Sequence, residues 1–176
     1  AFFTSLRSNG VKNFFGAKII PSRGAWLEFE TEPNGVIFVR IDRKRKIAAT
    51  ALLRAFGVGK DEEIKKLFTD VDTDENMKSI LATIAQDPAS SEEEGLIEVY
   101  RRIRPGDPAT VDNSRQMVKN TFFNFSRYDL SKVGRHRLNQ RFGKTYELTD
   151  KNRVLKPEDI VDVMREIIRL NNNLAA

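Results

Sequence analysis

The stretch that decides the fold runs from Gly35 to Gly57, "GVIFVRIDRKRKIAATALLRAFG". Its first part is apolar and β-branched, as a strand requires. Its last part, "IAATALLRAFG", spaces apolar residues at the helical interval and stops at Gly57, a natural helix terminator. Between the two lies Arg40–Lys46, "RIDRKRK", with six charged residues in seven, five of them positive. The chain therefore changes from strand to helix through a knot of charge.

Upstream, the period remains that of strands. "NFFGAKII" and "AWLEFET" are apolar or alternating and are parted by "PSRG", where Pro21 and Gly24 signal a turn. "EPNG" precedes "GVIFVRID", and its Asn-Gly pair suits a hairpin. Three antiparallel strands are thus expected in the first quarter. Downstream, the pattern predicts about six short helices, over "IAATALLRAFG", "DEEIKKLF" with Asp61 as its cap, "ENMKSILATIAQ", "SSEEEGLIEVYRRIR", "TVDNSRQMVKNTFF" capped by Thr110 or Asp112, and "KPEDIVDVMREIIRLNN", with the basic "DLSKVGRHRLNQRF" as a weaker candidate beside them. The stretch "KPEDIVDVMREIIRLNN" places Pro157 in its first turn and aligns Ile160, Val163, Met164, Ile167 and Ile168 on one stripe. Strands first and helices afterwards give an α+β fold: a small antiparallel sheet at the N-terminal part followed by helices.

The chain has 176 residues, 40% hydrophobic and 31% charged, a balance that supports a buried core in a single domain over 1–176. No run of about 18 apolar residues occurs, and "AFFTSLRSNG" lacks the parts of a signal peptide. Cysteine is absent and His136 is the sole histidine, which disfavours thiolate or imidazole metal sites and points to a cytoplasmic setting. No cofactor is expected.

The net charge is +5, unevenly spread. Arg127–Lys144 holds six lysines and arginines and His136 against one aspartate, whereas Asp61–Glu94 is acid-rich. Such a layout offers one side to a polyanion and another to solvent or a basic partner. "DVDTDE", Asp70–Glu75, opens like a calcium loop, yet Glu75 stands where glycine is needed and Leu81 where glutamate is needed. Nothing apolar near these carboxylates is expected to raise a pKa. Gly57–Gly59 follows a helix and lacks a phosphate-loop spacing. No nucleophile–base constellation appears. His136, between Arg135 and Arg137, reads as a surface or packing residue. By these residues the chain is a binding module without catalytic groups.

Trp26, the sole tryptophan, follows Arg23 by three residues. It reads either as a ring that stacks on an unpaired base or as a hairpin core residue. Lys18, Arg23, Arg40, Arg43, Lys44, Arg45 and Lys46 all come from the sheet or its exit and could gather into one phosphate-facing patch.

"AKIIPSRGAWLEFE", "VRIDRKRKIAATALLRAFG", "YRRIRPGDPAT" and "RYDLSKVGRHRLNQRF", in that order, closely resemble segments of the β subunit of bacterial DNA-directed RNA polymerase, a nucleotidyltransferase. "LKPEDIVDVMREIIRLNN" resembles the stretch that precedes that subunit's return to its neighbouring domain. The resemblance covers roughly residues 13–172 and concerns the lobe, the subunit's second domain, with residues 1–12 as a remnant of the preceding one. It implies a jaw of the main cleft that faces downstream duplex DNA and the non-template strand. Trp26 would then receive a non-template base, overriding the core reading, with Arg23 in its motif and Asp42, Arg43, Lys44 and Arg45 near the same strand. Asp42 would orient a neighbouring arginine. "LRSNGV" resembles a motif whose arginine joins that pocket, which makes Arg7 a further candidate, although Asn9 replaces a proline and the intervening segment is short. The resemblance also implies partners: the β′, α and ω subunits, sigma factor, and transcription factors that use the lobe as a platform. It implies no catalytic residue in this chain.

Overall fold

A computed structural model of the chain describes residues 2–6, 14–75 and 78–172. One antiparallel sheet has the order β1 (Phe2–Leu6), β2 (Phe14–Ile19), β3 (Leu27–Thr31), β4 (Ile37–Ile41), β5 (Ile47–Ala48). The three expected strands are its centre. Two more extend it: β1 pairs with residues 14–18 of β2, and β5 takes the first two residues of the expected helix. β1 reads "FFTSL", with no apolar–polar alternation, and the two residues of β5 are too short for a period to show.

Alternation fixes which face is which. The partners Ile19↔Leu27, Leu27↔Ile41 and Phe29↔Val39 all point inward and are at most 2% exposed. A shift of one residue would turn that whole set to water. The opposite face carries the row Lys18↔Glu28↔Arg40. In the β3–β4 turn, the Gly35 N–H donates to the Glu32 carbonyl at 2.8 Å, with Gly35 at φ +88°. Gly24 is required for a different reason. Any Cβ there would lie 2.7 Å from Tyr128 Cδ2 and 2.8 Å from the Arg127 carbonyl.

Among the described residues seven α-helices follow: α1 (Ala49–Ala55), α2 (Asp61–Phe68), α3 (Ser79–Gln86), α4 (Glu92–Ile103), α5 (Val111–Val118), α6 (Ser131–Phe142) and α7 (Pro157–Asn171). α5 continues as a π-helical turn, Lys119–Phe123, that drives Phe122 into the core against Phe56. Ser91 and Thr110 cap α4 and α5 by accepting the N–H groups of Glu94 and Asn113. Asp61 is not a cap; it is the first residue of α2 and follows Lys60. α3 starts later than its pattern suggested, at Ser79. Its first turn is held by a distant side chain: Asp72 accepts from Ser79 N–H at 3.0 Å and Ile80 N–H at 2.9 Å.

The stripe on α7 is wholly buried, Ile160, Val163, Met164, Ile167 and Ile168 each at 0%. Its last residue, Asn171, accepts from Phe15 N–H and donates to Thr31 Oγ1, tying α7 to the sheet. α4 crosses α1 at Gly95, where an added Cβ would come within 2.8 Å of the Ala51 carbonyl. Two arginines lie inside. Arg54 donates to Asp87, Asp61 and the Gly59 carbonyl. Arg135 forms a double hydrogen bond with Asp159 and also donates to the Asn152 and Val154 carbonyls. Part of the acid-rich stretch therefore serves the interior rather than a partner. Among the described residues no helix is long and apolar enough to cross a membrane.

Candidate nucleic-acid interface

The antiparallel register of β3 and β4 brings Trp26 beside Asp42. Leu27 pairs with Ile41, so the residues just outside the pair face each other across the sheet's end. They are bonded twice: Asp42 Oδ1 accepts the Trp26 N–H at 2.8 Å, and the Asp42 N–H donates to the Trp26 carbonyl at 2.9 Å.

Asp42 and Arg43 form the turn from β4 to β5. Both have positive φ, +50° and +61°, and the Lys44 N–H closes the turn on the Ile41 carbonyl at 3.1 Å. Glycine or asparagine is the usual occupant of such positions. A bulky residue there costs about 1–2 kcal/mol. Aspartate tolerates the conformation better because its short carboxylate bonds locally, and here it bonds Trp26. The turn lifts Arg43 over the indole, with the guanidinium carbon 5.3 Å from the ring centroid. Trp26, Asp42 and Arg43 line an open cleft of about 360 Å³. Trp26 is half-buried and the Arg43 side chain 74% exposed.

Asp42 was expected to orient a neighbouring arginine. Its carboxylate instead holds Trp26, and Glu28 is the acid beside Arg43, with Oε1 3.7 Å from Arg43 Nε and Oε2 3.8 Å from Lys18 Nζ. Glu28 Oε1 is buried and accepts no hydrogen bond among the described residues. Glu28 was missed as a site residue, though the alternation of "LEFE" already put it on the open face.

The remaining cations do not form one uninterrupted patch. Arg40 lies 3.6 Å from Glu30, and Lys46 pairs with Glu32 while its ammonium sits over Phe38. Each strand cation thus has a glutamate from β3 or its turn as neighbour. Lys44 and Arg45 at the turn are exposed, and no described residue forms an ion pair with either. Arg23 points elsewhere. It donates to the Phe125 carbonyl, lies 5.2 Å from the centre of the Phe125 ring and is 3.9 Å from Asp129. The backbones of Arg23 and Asp129 are also bridged, so this arginine anchors the loop that leads to Trp26. Arg7 lies outside the described residues. His136 is exposed on α6.

Electrostatics support the frame rather than acid–base chemistry. The double hydrogen bond from Arg153 holds the Asp129 carboxyl below the usual carboxylate range, and Arg165 does the same to Asp70. Asp72 corrects the expectation that nothing apolar would raise a carboxyl in the acidic stretch. It sits beside Phe68, Ile80 and Leu81, and burial pushes it up. Its oxygens are committed to the start of α3. Among the described residues no group of histidines, cysteines and carboxylates could hold a metal ion.

The family described as RNA polymerase Rpb2, domain 2, matches residues 2–175. The chain is 45% identical over 155 residues to the DNA-directed RNA polymerase subunit beta of Dehalococcoides mccartyi, which covers 88% of this chain and 12% of that protein. It is 48% identical over 130 residues to the subunit of the same name from Clostridium kluyveri, covering 74% and 10%. For Chloroflexus aggregans the identity is 42% over 183 residues, covering 89% and 15%. The chain therefore spans between a tenth and a sixth of the length of these relatives.

Proposed function

The chain belongs to the RNA polymerase Rpb2 domain 2 family, and from that membership we propose that it is the lobe of a polymerase β subunit. It lines the main cleft and contacts downstream DNA and the non-template strand. The enzyme it serves transfers nucleotides. This chain supplies binding and position, and it works in assembly with the other polymerase subunits and sigma factor.

The observation that carries the reading is the cleft of Trp26, Asp42 and Arg43. An indole that borders an open cleft can stack on an unpaired base whatever its sequence, an interaction of about 1–3 kcal/mol. Asp42 fixes the backbone that bears the ring. Arg43, Lys44 and Arg45 project from the same turn toward phosphates. Three phosphate contacts give a salt slope of roughly −2 for a single strand.

A second reading is a platform for transcription factors with little DNA affinity of its own. Glu28, Glu30 and Glu32 favour it, because carboxylates between the strand cations repel phosphate.

Trp26 emission is the direct test. Short single-stranded DNA is titrated into the chain at low salt, beside Trp26→Phe followed by the anisotropy of labelled DNA. Saturable quenching with weaker binding by the variant supports the stacking site. Emission that ignores DNA, with equal binding by the variant, overturns it and leaves the platform reading.

A further inference from the structure

The second basic segment, Arg127–Lys144, is not used by the Trp26 cleft. Folding divides it. Arg135 goes inside to Asp159, while Arg141 and Lys144 face Glu166 and Asp162 at 3.7 Å each. Lys132 and Arg137 stay on the exposed side of α6, and no described residue forms an ion pair with either. Val133, between them, is 59% exposed, the most exposed large hydrophobic among the described residues. Ile20, just past the end of β2, is 37% exposed. Ile20, Pro21, Leu130 and Val133 line a groove of about 230 Å³, and Arg137 lines it one helical turn beyond Val133.

We propose that this groove docks a short segment of another protein in which one or two bulky aliphatic side chains are flanked by carboxylates. Two features of the surface call for an occupant, and one chemistry answers both. An aliphatic side chain that enters the groove removes Ile20 and Val133 from water. Carboxylates on either side meet Arg137 at the groove and Lys132 next to Val133, two of the exposed cations with which no described residue forms an ion pair. A nucleic acid would satisfy the cations alone, since phosphates bury no aliphatic surface, and Ile20 and Val133 would remain wet. Positive charge beside a small apolar groove also fits a short linear segment rather than a broad domain face. The proposal stands apart from the stacking reading of Trp26 and does not depend on it.

The test is a random peptide library displayed on phage and panned against the full 176-residue chain. Two variants are panned in parallel, Val133→Asp and the double variant Lys132→Glu, Arg137→Glu. All three positions are exposed, so the fold is expected to survive, and circular dichroism verifies that it does. The expected result is enrichment of peptides that combine aliphatic residues with aspartate or glutamate. An enriched peptide, synthesised, binds each variant at least tenfold more weakly, and its affinity for the parent chain falls with added salt. Enrichment without acidic residues, or equal binding by either variant, overturns the proposal. So does a second outcome: no peptide enriched, while labelled single-stranded DNA binds the parent and is lost on the double variant. That result makes the face a nucleic-acid surface.

Discussion

Asp42 and Trp26 hold each other through two hydrogen bonds, 2.8 Å from the tryptophan N–H to the carboxylate and 2.9 Å from the aspartate N–H to the tryptophan carbonyl. Each is the residue just beyond a strand, and each has its backbone set by the other. The clasp makes a half-buried ring a fixed one. It also holds Asp42 at a positive φ of +50°.

Asp42→Ala removes the acceptor and leaves a methyl side chain at that φ. The expected cost is about 1–2 kcal/mol, read from the urea midpoint. Trp26 emission should shift red as the ring loosens. An unchanged midpoint and spectrum would mean that the clasp contributes nothing to either.

Arg43 follows at φ +61°, where glycine avoids the steric cost that a side chain incurs but loses more entropy on folding. Arg43→Gly is therefore expected to stabilise the chain by about 0.5–1 kcal/mol and to weaken single-stranded DNA binding severalfold. Opposite signs in the two measurements mark strain kept for function. Equal or lower stability in the variant would remove that interpretation.

Glu28 lies 3.7 Å from Arg43 and 3.8 Å from Lys18, so it competes with phosphate for both. Glu28→Gln should raise affinity for single-stranded DNA by roughly two- to fivefold, the scale of a partly exposed ion pair. Anisotropy titrations at fixed low salt decide the point, and a drop in affinity would instead assign Glu28 to holding Arg43 in place.

Gly95 sits where α4 meets α1. Helix propensity alone favours alanine there by about 1 kcal/mol. The added Cβ, however, would lie 2.8 Å from the Ala51 carbonyl and from Arg54 Cβ, and 3.0 Å from the Ala55 nitrogen. Backbone cannot swing aside, so Gly95→Ala is expected to destabilise by about 1–3 kcal/mol. Thermal unfolding measures it; a gain in stability would show that the two helices separate freely.

Acid sensitivity follows from the depressed carboxyls. Arg153 lowers Asp129 and Arg165 lowers Asp70. Their contribution is complete above the ordinary aspartate value, about 3.9, and is lost as pH falls through their lower folded values. Asp72 and Asp162, raised by burial, act oppositely: their cost grows as pH rises from the ordinary value to the folded one. Asp129→Asn should therefore lower stability at pH 7 and flatten its decline below about pH 4. Urea midpoints at pH 7 and pH 3 check both, and an unaltered acid slope would clear Asp129 of the role.

Much of the fold was legible because its signals are periodic and local. The alternation of Leu27, Glu28, Phe29 and Glu30 fixed both faces of β3. The interval from Ile160 to Ile168 fixed the buried side of α7, and Thr110, one of two candidate caps, stands at the start of α5. β1, "FFTSL", carries no alternation and β5 is too short for any period to register, and the start of α3 was hidden because Asp72 holds it from outside the helix.

The same division runs through the candidate site. Residue order alone shows charge concentrated at the exit of β4 and the sole tryptophan near the sheet's end. What those residues do with one another depends on how the chain folds. Asp42 serves Trp26, Glu28 serves Arg43 and Lys18, Arg23 anchors a loop at Phe125, and Arg54 and Arg135 disappear into the core. A charged side chain reads the same in a sequence whether it meets water, a carboxylate or a carbonyl. Its partner is chosen by strand register and helix packing, which join residues as far apart as Arg23 and Asp129, and local pattern carries no record of that choice.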